Sequence, residues 1–480
     1  MSEYKLFVQR IGLVGITNIL VTLSSLILLP ILTKNLTIED YGIWVQLIAT
    51  ISFIPYLVNL GLPYSMVRFL PTKKDKAEIQ EGFYSITLLT LFVGVIASII
   101  IFIFAEKIAI LLFNGNTAIS ILLSAITLVF VANSSYTTLL RTFQQMKVYS
   151  IVTLVQTYAM VFLVTVLVQA GYNIEGAAFG YFIVQLLTLL FLFLYVISRI
   201  GIKIPRFKNI NEYLSFGIPT VPGNLSNWFV ELSDRYVIGI LLGVAYVGYY
   251  SPGYTLGSLI TTFMAPFAFI LPPLLSPLYD EKKIDEVKNY FQYSIKYFVL
   301  IALPSIFGLS LLSKQLLIFI TTPEIAVNGY FITPFTAISA FLFGIYGIIS
   351  QTLILEKKTK IIGSLWIIAA IINLVLNIIF VPIYGIIAAA VSTLIAYAFT
   401  LLITVIYSQK CIKLQLNIKF LIKSLLASIL MSLIIILVNP TSIVEIITVI
   451  IICAAVYLAV IYILKGISKE EIDFIKKLAR

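Results

Sequence analysis

The sequence predicts an all-α polytopic membrane protein of about fourteen transmembrane helices, in two pseudo-symmetric six-helix bundles followed by two trailing helices. Three observations predict it. Of 480 residues, 60% are hydrophobic and 11% charged, with a mean hydropathy of +1.07, which leaves too few polar side chains to cover a water-soluble globule. Apolar runs long enough to cross about 30 Å of hydrocarbon recur along the whole chain. Basic residues gather in short clusters between those runs, as juxtamembrane positions do.

Taken in order, the candidate spans fall near 10–33, 41–65, 82–105, 117–140, 148–169 and 174–197, then near 213–242, 247–275, 289–312, 328–353, 359–381 and 385–407. Two more lie near 418–438 and 443–464. This divides the chain into a bundle over 1–210, a second over 211–412, and a trailing pair with a cytosolic tail over 413–480. The first run, Ile11 to Leu32, follows Lys5 and Arg10 as a signal peptide would, but it is too long and lacks a small-x-small cleavage site, so it reads as a retained span. Gly217, Pro219, Pro222 and Gly223 predict a break or bend where the seventh span begins.

With a cytosolic N-terminus, 28 of the 32 basic residues fall on the cytosolic side. Lys34, Lys107 and Lys314 fall outside, and Arg235 lies within a span. The bias places both termini in the cytosol and the protein in the cell membrane. All loops are short, and no GxxxxGK[ST] phosphate loop is present, so nucleotide hydrolysis by this chain is not expected. A net charge of +11 without a continuous basic face argues against nucleic acid as a partner. The chain has no histidine, which removes the commonest general base and metal ligand, and its two cysteines, Cys411 and Cys453, form no CxxC. No catalytic residue, metal or cofactor is predicted.

Two segments echo each other at an offset of 212: Gln144–Ile183 and Glu356–Ile395. Each runs basic loop, span, short turn with an aligned tyrosine (Tyr172, Tyr384), small-residue triplet, span; Gly176-Ala177-Ala178 aligns with Ala388-Ala389-Ala390. A weaker match at an offset near 206 sets Asn18 against Asn224 and Tyr41-Gly42-Ile43-Trp44 against Val247-Gly248-Tyr249-Tyr250. Parallel six-span repeats enclose a cavity that opens to either side by rocking, which is a transporter's architecture.

Span seven carries the most informative residues. Asn224, Asn227, Glu231 and Asp234 recur at spacings of three, four and three, on one helix face, and Arg235 stands at i+4 from Glu231, within pairing distance. Charges at bilayer depth face a cavity or one another. Span one offers a matching stripe, Asn18, Thr22 and Ser25. The expected roles are substrate binding by Arg235, Asn224 and Asn227 with Asn18, Thr22 and Ser25 opposite, and coupling to a sodium or proton gradient by Glu231 or Asp234. Arg10, Arg68 and Arg141 stand at span ends on the cytosolic side, where the plainer role is contact with anionic headgroups. Asn373 and Asn377, i and i+4 on span eleven, read first as interhelical hydrogen-bonding residues and second as cavity lining.

The segments YGIWVQLIATISFIPYLVNLGLPYSMVRFLP, SDRYVIGILLGVAYVGYYS and NLVLNIIFVPIYGIIAAAVSTLIAY resemble polysaccharide biosynthesis proteins of the O-antigen flippase (Wzx) type, within the multidrug/oligosaccharidyl-lipid/polysaccharide exporter superfamily. The resemblance covers essentially the whole chain and departs at Ala388, where a glycine would be expected. It implies translocation of a polyprenyl-diphosphate-linked oligosaccharide from the cytosolic to the outer leaflet, with Arg10, Arg68 and Arg141 as candidates for capturing the lipid diphosphate, membrane lipids around it and glycosyltransferases or a polymerase of the same pathway as partners. Two alternatives stay open: a multidrug or cation exporter of the same superfamily, which Arg235 disfavours, and a membrane glycosyltransferase or polymerase, which the short outer loops disfavour.

Overall fold

The computed structural model describes residues 3–414 and 417–466, with side chains from Gly12 onward. The chain is all-helical and divides into two compact units. One comprises residues up to Tyr249 together with Asn373–Ala389; the other comprises Tyr250–Ile372 and the chain from Ala390 on.

The first unit opens with α1 (Glu3–Asn35), α2 (Ile38–Val58) and the short α3 (Leu62–Phe69). Then come α4 (Lys76–Ile103), α5 (Ala105–Leu112), α6 (Thr117–Thr142), α7 (Met146–Leu167), α8 (Asn173–Ile200), α9 (Ile210–Gly217) and α10 (Val221–Leu241). Helix starts follow capping chemistry: Thr37, Asp75 and Asn116 accept backbone N–H groups of the first turns of α2, α4 and α6. Helix α4 packs on α6, α6 on α8, and α7 on both α1 and α8. A core of Leu62, Met66, Phe83, Tyr136, Leu139, Leu192 and Tyr213 joins α3, α4, α6, α8 and α9. The extended segment after α8 is strapped onto α4: the Glu81 carboxylate accepts the Arg206 N–H at 2.6 Å, Tyr84 donates to the Gly201 carbonyl, and Lys203 donates to the Ala77 carbonyl.

In the second unit, α12 (Ala265–Asp280), α13 (Ile284–Ile320), α14 (Pro323–Gly329), α15 (Ile332–Ile349), α16 (Gln351–Leu355), α19 (Ile418–Val438) and α20 (Ile443–Ile463) lie entirely, while α11 (Val244–Ser258), α17 (Thr359–Tyr384) and α18 (Ile386–Cys411) begin in the first unit's residues or cross between the two sets. Helix α13 is the unit's axis, packed by α12, α14, α15 and α19. Its 37 residues extend about 55 Å, well beyond the hydrocarbon core, and its first turn carries the solvated Asp285–Lys288 pair. Ser442 and Glu445 form a capping box at the start of α20. Ser442→Ala is expected to weaken that helix start by about 1 kcal/mol, read as faster hydrogen exchange of the first-turn amides with the rest of α20 unchanged.

Twelve helical stretches among the described residues are long and apolar enough to cross a membrane, and the chain is a multi-pass membrane protein. The difference from fourteen has two physical sources. The stretch Met146–Ile200 is one helical run, but it holds α7, a π-type turn with Gly171 at φ 88°, and α8, which packs back on α7. Helix α10, 21 residues long, falls outside the apolar set because it contains Glu231, Asp234 and Arg235. Boundaries shift as well. The second span ends at Val58 rather than 65, because Gly61 (φ 68°) turns the chain into α3. The break at span seven falls at a single 3-10 turn, Ile218–Thr220, which separates α9 from α10. Span eight is a kinked series from Val244 to Asp280.

The repeats are visible in the backbone. At the offset of 212, Asn173 (φ 47°) and Gly385 (φ 66°) occupy matching turn positions, and both small-residue triplets are buried. At the offset of 206 a contact occurs twice. A Cβ on Gly42 would lie 2.1 Å from the Val244 carbonyl oxygen, and one on Gly248 would lie 2.7 Å from that of Ile38. Residues 38 and 42 map onto 244 and 248, so each repeat supplies the glycine for the other's carbonyl, as a self-complementary contact about a two-fold axis requires.

Candidate functional site

Helix α10 is held against α2 by three hydrogen bonds made by polar side chains that the hydrocarbon would otherwise penalise. The Gln46 amide donates to the Arg235 carbonyl at 2.8 Å, Tyr236 donates to the Thr50 hydroxyl at 2.7 Å, and the Trp228 indole donates to Ser52 at 3.1 Å. Gly239 makes room for Gln46, whose amide nitrogen would lie 2.1 Å from an added Cβ. Phe53 packs on Trp228 with ring centroids 4.5 Å apart.

This scaffold places the predicted stripe at graded depth. The Asp234 side chain is completely buried and that of Arg235 is 6% exposed. Their ion pair is 2.7 Å long, and the Asp234 carboxylate also accepts the Arg235 backbone N–H at 2.8 Å. The guanidinium donates a further bond to the Glu231 backbone carbonyl at 2.6 Å. The i, i+4 spacing predicted a pair with the Glu231 carboxylate. The guanidinium pairs with Asp234, its chain neighbour, and also acts electrostatically on Glu231, as that spacing allows. Asn224, Asn227 and Glu231 are half-buried on the same side of the helix.

Two tyrosines that sequence reasoning passed over join this face. Tyr64 of α3 donates to the Asn224 side-chain oxygen at 3.1 Å. Tyr56, one residue after Pro55 in α2, lies close enough to Glu231 and to Tyr64 to interact with both electrostatically. The signal was faint, since aromatic residues are common in spans and neither tyrosine belongs to a polar stripe. Asn373 and Asn377, both fully buried, also come to α10: Ser233 donates to the Asn373 side-chain oxygen at 3.4 Å, and the Asn377 amide donates to it at 3.1 Å. The Asn377 and Asn227 side-chain oxygens are buried without a hydrogen-bond partner.

The stripe on α1 is more open. Asn18 and Ser25 are exposed and Thr22 half-buried, and the Thr22 and Ser25 hydroxyls donate to carbonyls of α1 itself, at 3.0 and 2.7 Å. Arg68 and Arg141 are exposed in the last turns of α3 and α6. The Arg10 side chain lies outside the described residues.

The polysaccharide biosynthesis protein family matches residues 31–324, a stretch that contains all of α10 and its partners on α2 and α3. The probable low-salt glycan biosynthesis flippase Agl15 of Haloferax volcanii is 23% identical over 234 residues, so the chain spans about half the length (48%) of this curated relative. Among solved structures, lipid II flippase MurJ in an inward closed conformation superposes with a TM-score of 0.78 at 19% identity, covering 99% of this chain and 100% of its own. An inward-facing multidrug resistance MATE family transporter of the MOP superfamily superposes with a TM-score of 0.63 at 16% identity, over 82% of this chain and 94% of its own. The fold is therefore of the MurJ and MATE kind, and by its family match the chain belongs to the polysaccharide biosynthesis protein family.

Proposed function

We propose that this protein is a flippase that carries a polyprenyl-diphosphate-linked oligosaccharide from the cytosolic to the outer leaflet by alternating access, driven by an ion gradient. The observation that carries the reading is α10, a helix of a multi-pass membrane protein with a buried Asp–Arg pair and half-buried Asn224, Asn227 and Glu231 on one side. A helix that only spans has no use for such residues, and the bilayer penalises them unless they serve a polar path. The family match and the flippase relative support the same reading.

In this proposal the chain crosses the membrane fourteen times, counting α7 and α8 separately and adding α10, with both termini in the cytosol. The working halves are 1–210 and 211–412, and 413–480 contributes the trailing pair. Arg235, Asn224 and Asn227 hold the substrate's polar part, with Asn18, Thr22 and Ser25 as the corresponding face of the first half. Arg10, Arg68 and Arg141 draw the diphosphate from the inner leaflet. The coupling ion binds at Asp234 or Glu231. Asp234 is the stronger candidate, because two buried asparagines with an unused oxygen on Asn377 approach the same turn, and a small hard cation takes such oxygen ligands.

The test is reconstitution in liposomes loaded with lipid-linked oligosaccharide from the host membranes, following the saccharide's exposure to an added glycosidase. Exposure should accelerate with the protein and respond to an imposed sodium or proton gradient, and Asp234→Asn should remove the response to the gradient. Exposure no faster than in empty liposomes would end the flippase reading.

A further inference from the structure

We propose that Tyr56, Tyr64, Asn224 and Glu231 form a sugar-stacking subsite, in which the two phenol rings pack on the C–H faces of sugar rings while the amide and carboxylate take up their hydroxyls. The inference rests on the flippase reading and names which part of the substrate this face holds.

Both tyrosines keep open ring surface, Tyr56 at 36% and Tyr64 at 50% exposed, whereas the Trp228 indole of α10 is 4% exposed. Rings left open on a membrane helix can face acyl chains, but these share their surface with an amide and a carboxylate, which acyl chains reject. Tyr64 is tied to Asn224 at 3.1 Å, and Glu231 lies within electrostatic reach of Tyr56. The face is therefore amphipathic on the scale of single side chains: flat apolar plates beside planar hydrogen-bonding groups. A sugar ring has the complementary surface, with an apolar C–H face and a rim of hydroxyls.

Its supports are rigid. Gly61 ends the turn after α2 in the left-handed region, so that α3 carries Tyr64 to the first turn of α10, and α3 is held in turn by Ser65 donating to the Tyr213 carbonyl at 2.6 Å. Tyr56 rides on α2, which is bonded to α10 by Gln46, Thr50 and Ser52. Groups mounted on packed helices keep their spacing when a ligand enters. From Asn224 to Glu231 the helix rises about 10 Å, enough for a short oligosaccharide to lie along it.

Other occupants fit less well. A diphosphate has no apolar face to lay on the two phenol rings and would leave Tyr56 and Tyr64 unused. An organic cation could use the carboxylate and the ring faces, but it would have no use for the Asn224 amide.

The experiment uses full-length protein in nanodiscs and three probes: lipid-linked oligosaccharide extracted from the host membranes, bare polyprenyl diphosphate, and tetraphenylphosphonium. The wild type should bind the glycosylated lipid about tenfold more tightly than the bare one. The pair Tyr56→Leu and Tyr64→Leu should bring that preference to within about twofold, with affinity for the bare lipid unchanged, which also reports correct folding. Tyr64→Phe keeps the ring, loses only the bond to Asn224, and should retain most of the preference. A preference that survives both leucines overturns the subsite, and so does a loss seen only with tetraphenylphosphonium. If the wild type binds neither lipid, the flippase reading itself fails, which is a different result from a wild type that binds both lipids equally and so lacks the subsite.

Discussion

Arg235→Ala is expected to abolish translocation of the lipid-linked saccharide and to lower the stability of the protein by about 3–5 kcal/mol. The large structural effect follows from burial. The Asp234 carboxylate is fully enclosed, and its charge is met by the guanidinium 2.7 Å away. Removing the arginine takes the nearest cation from a fully buried carboxylate, and the Glu231 carbonyl loses a donor as well. Loss of transport could then be no more than loss of fold, so the informative companion is the double variant Asp234→Asn with Arg235→Leu. Removing both charges of a buried pair is often neutral or even stabilising. The double variant should therefore regain most of the lost thermal stability in detergent while remaining inactive in the liposome assay. Activity in the double variant would reduce the pair to a structural clamp between α10 and its neighbours.

Gly61→Ala is expected to destabilise by about 2–5 kcal/mol, a large fraction of the roughly 5–15 kcal/mol by which native proteins are stable. Two terms add. At φ 68° an L-residue bears a backbone penalty that glycine escapes. The added methyl would also lie 2.0 Å from the Gly217 carbonyl oxygen and 2.6 Å from the Thr220 hydroxyl, and a backbone carbonyl at the end of a packed helix cannot swing aside as a flexible side chain would. Relief requires α3 to move from α9 and from the start of α10, which carries Tyr64 away from Asn224. The expected readout is a lowered thermal midpoint in detergent together with a weakened preference for glycosylated over bare lipid. A Gly61→Ala protein with an unchanged midpoint would show that this close approach is looser than the backbone geometry indicates.

Much of the fold was legible in the chain because its determinants are local. A span is recognised by its own twenty residues, since lipid solvates an apolar helix whatever else surrounds it. Helix starts were set by Thr37, Asp75, Asn116 and Ser442 acting on their own first turns. The break before α10 lay where Gly217, Pro219 and Pro222 predicted it. The stripe of Asn224, Asn227, Glu231 and Asp234 followed from helical periodicity alone, as did the burden its charges place on the bilayer. Even the repeat at an offset of 206, faint as text, pointed to glycines that the structure uses reciprocally.

What needed the tertiary structure was every choice of partner. Periodicity pointed Arg235 at Glu231, and the folded chain adds the 2.7 Å ion pair with Asp234. Ser233 meets Asn373 across 140 residues of chain, and Tyr64 meets Asn224 across 160. Within lipid there is little hydrophobic drive to separate one apolar helix face from another, so the pairing of helices is decided by close packing and a few hydrogen bonds. Those depend on shapes brought together from distant parts of the chain. The residues alone therefore determined that this protein lives in the membrane and which of its helices carries the polar burden; the packing alone decided which side chains share that burden and which aromatic rings stand beside it.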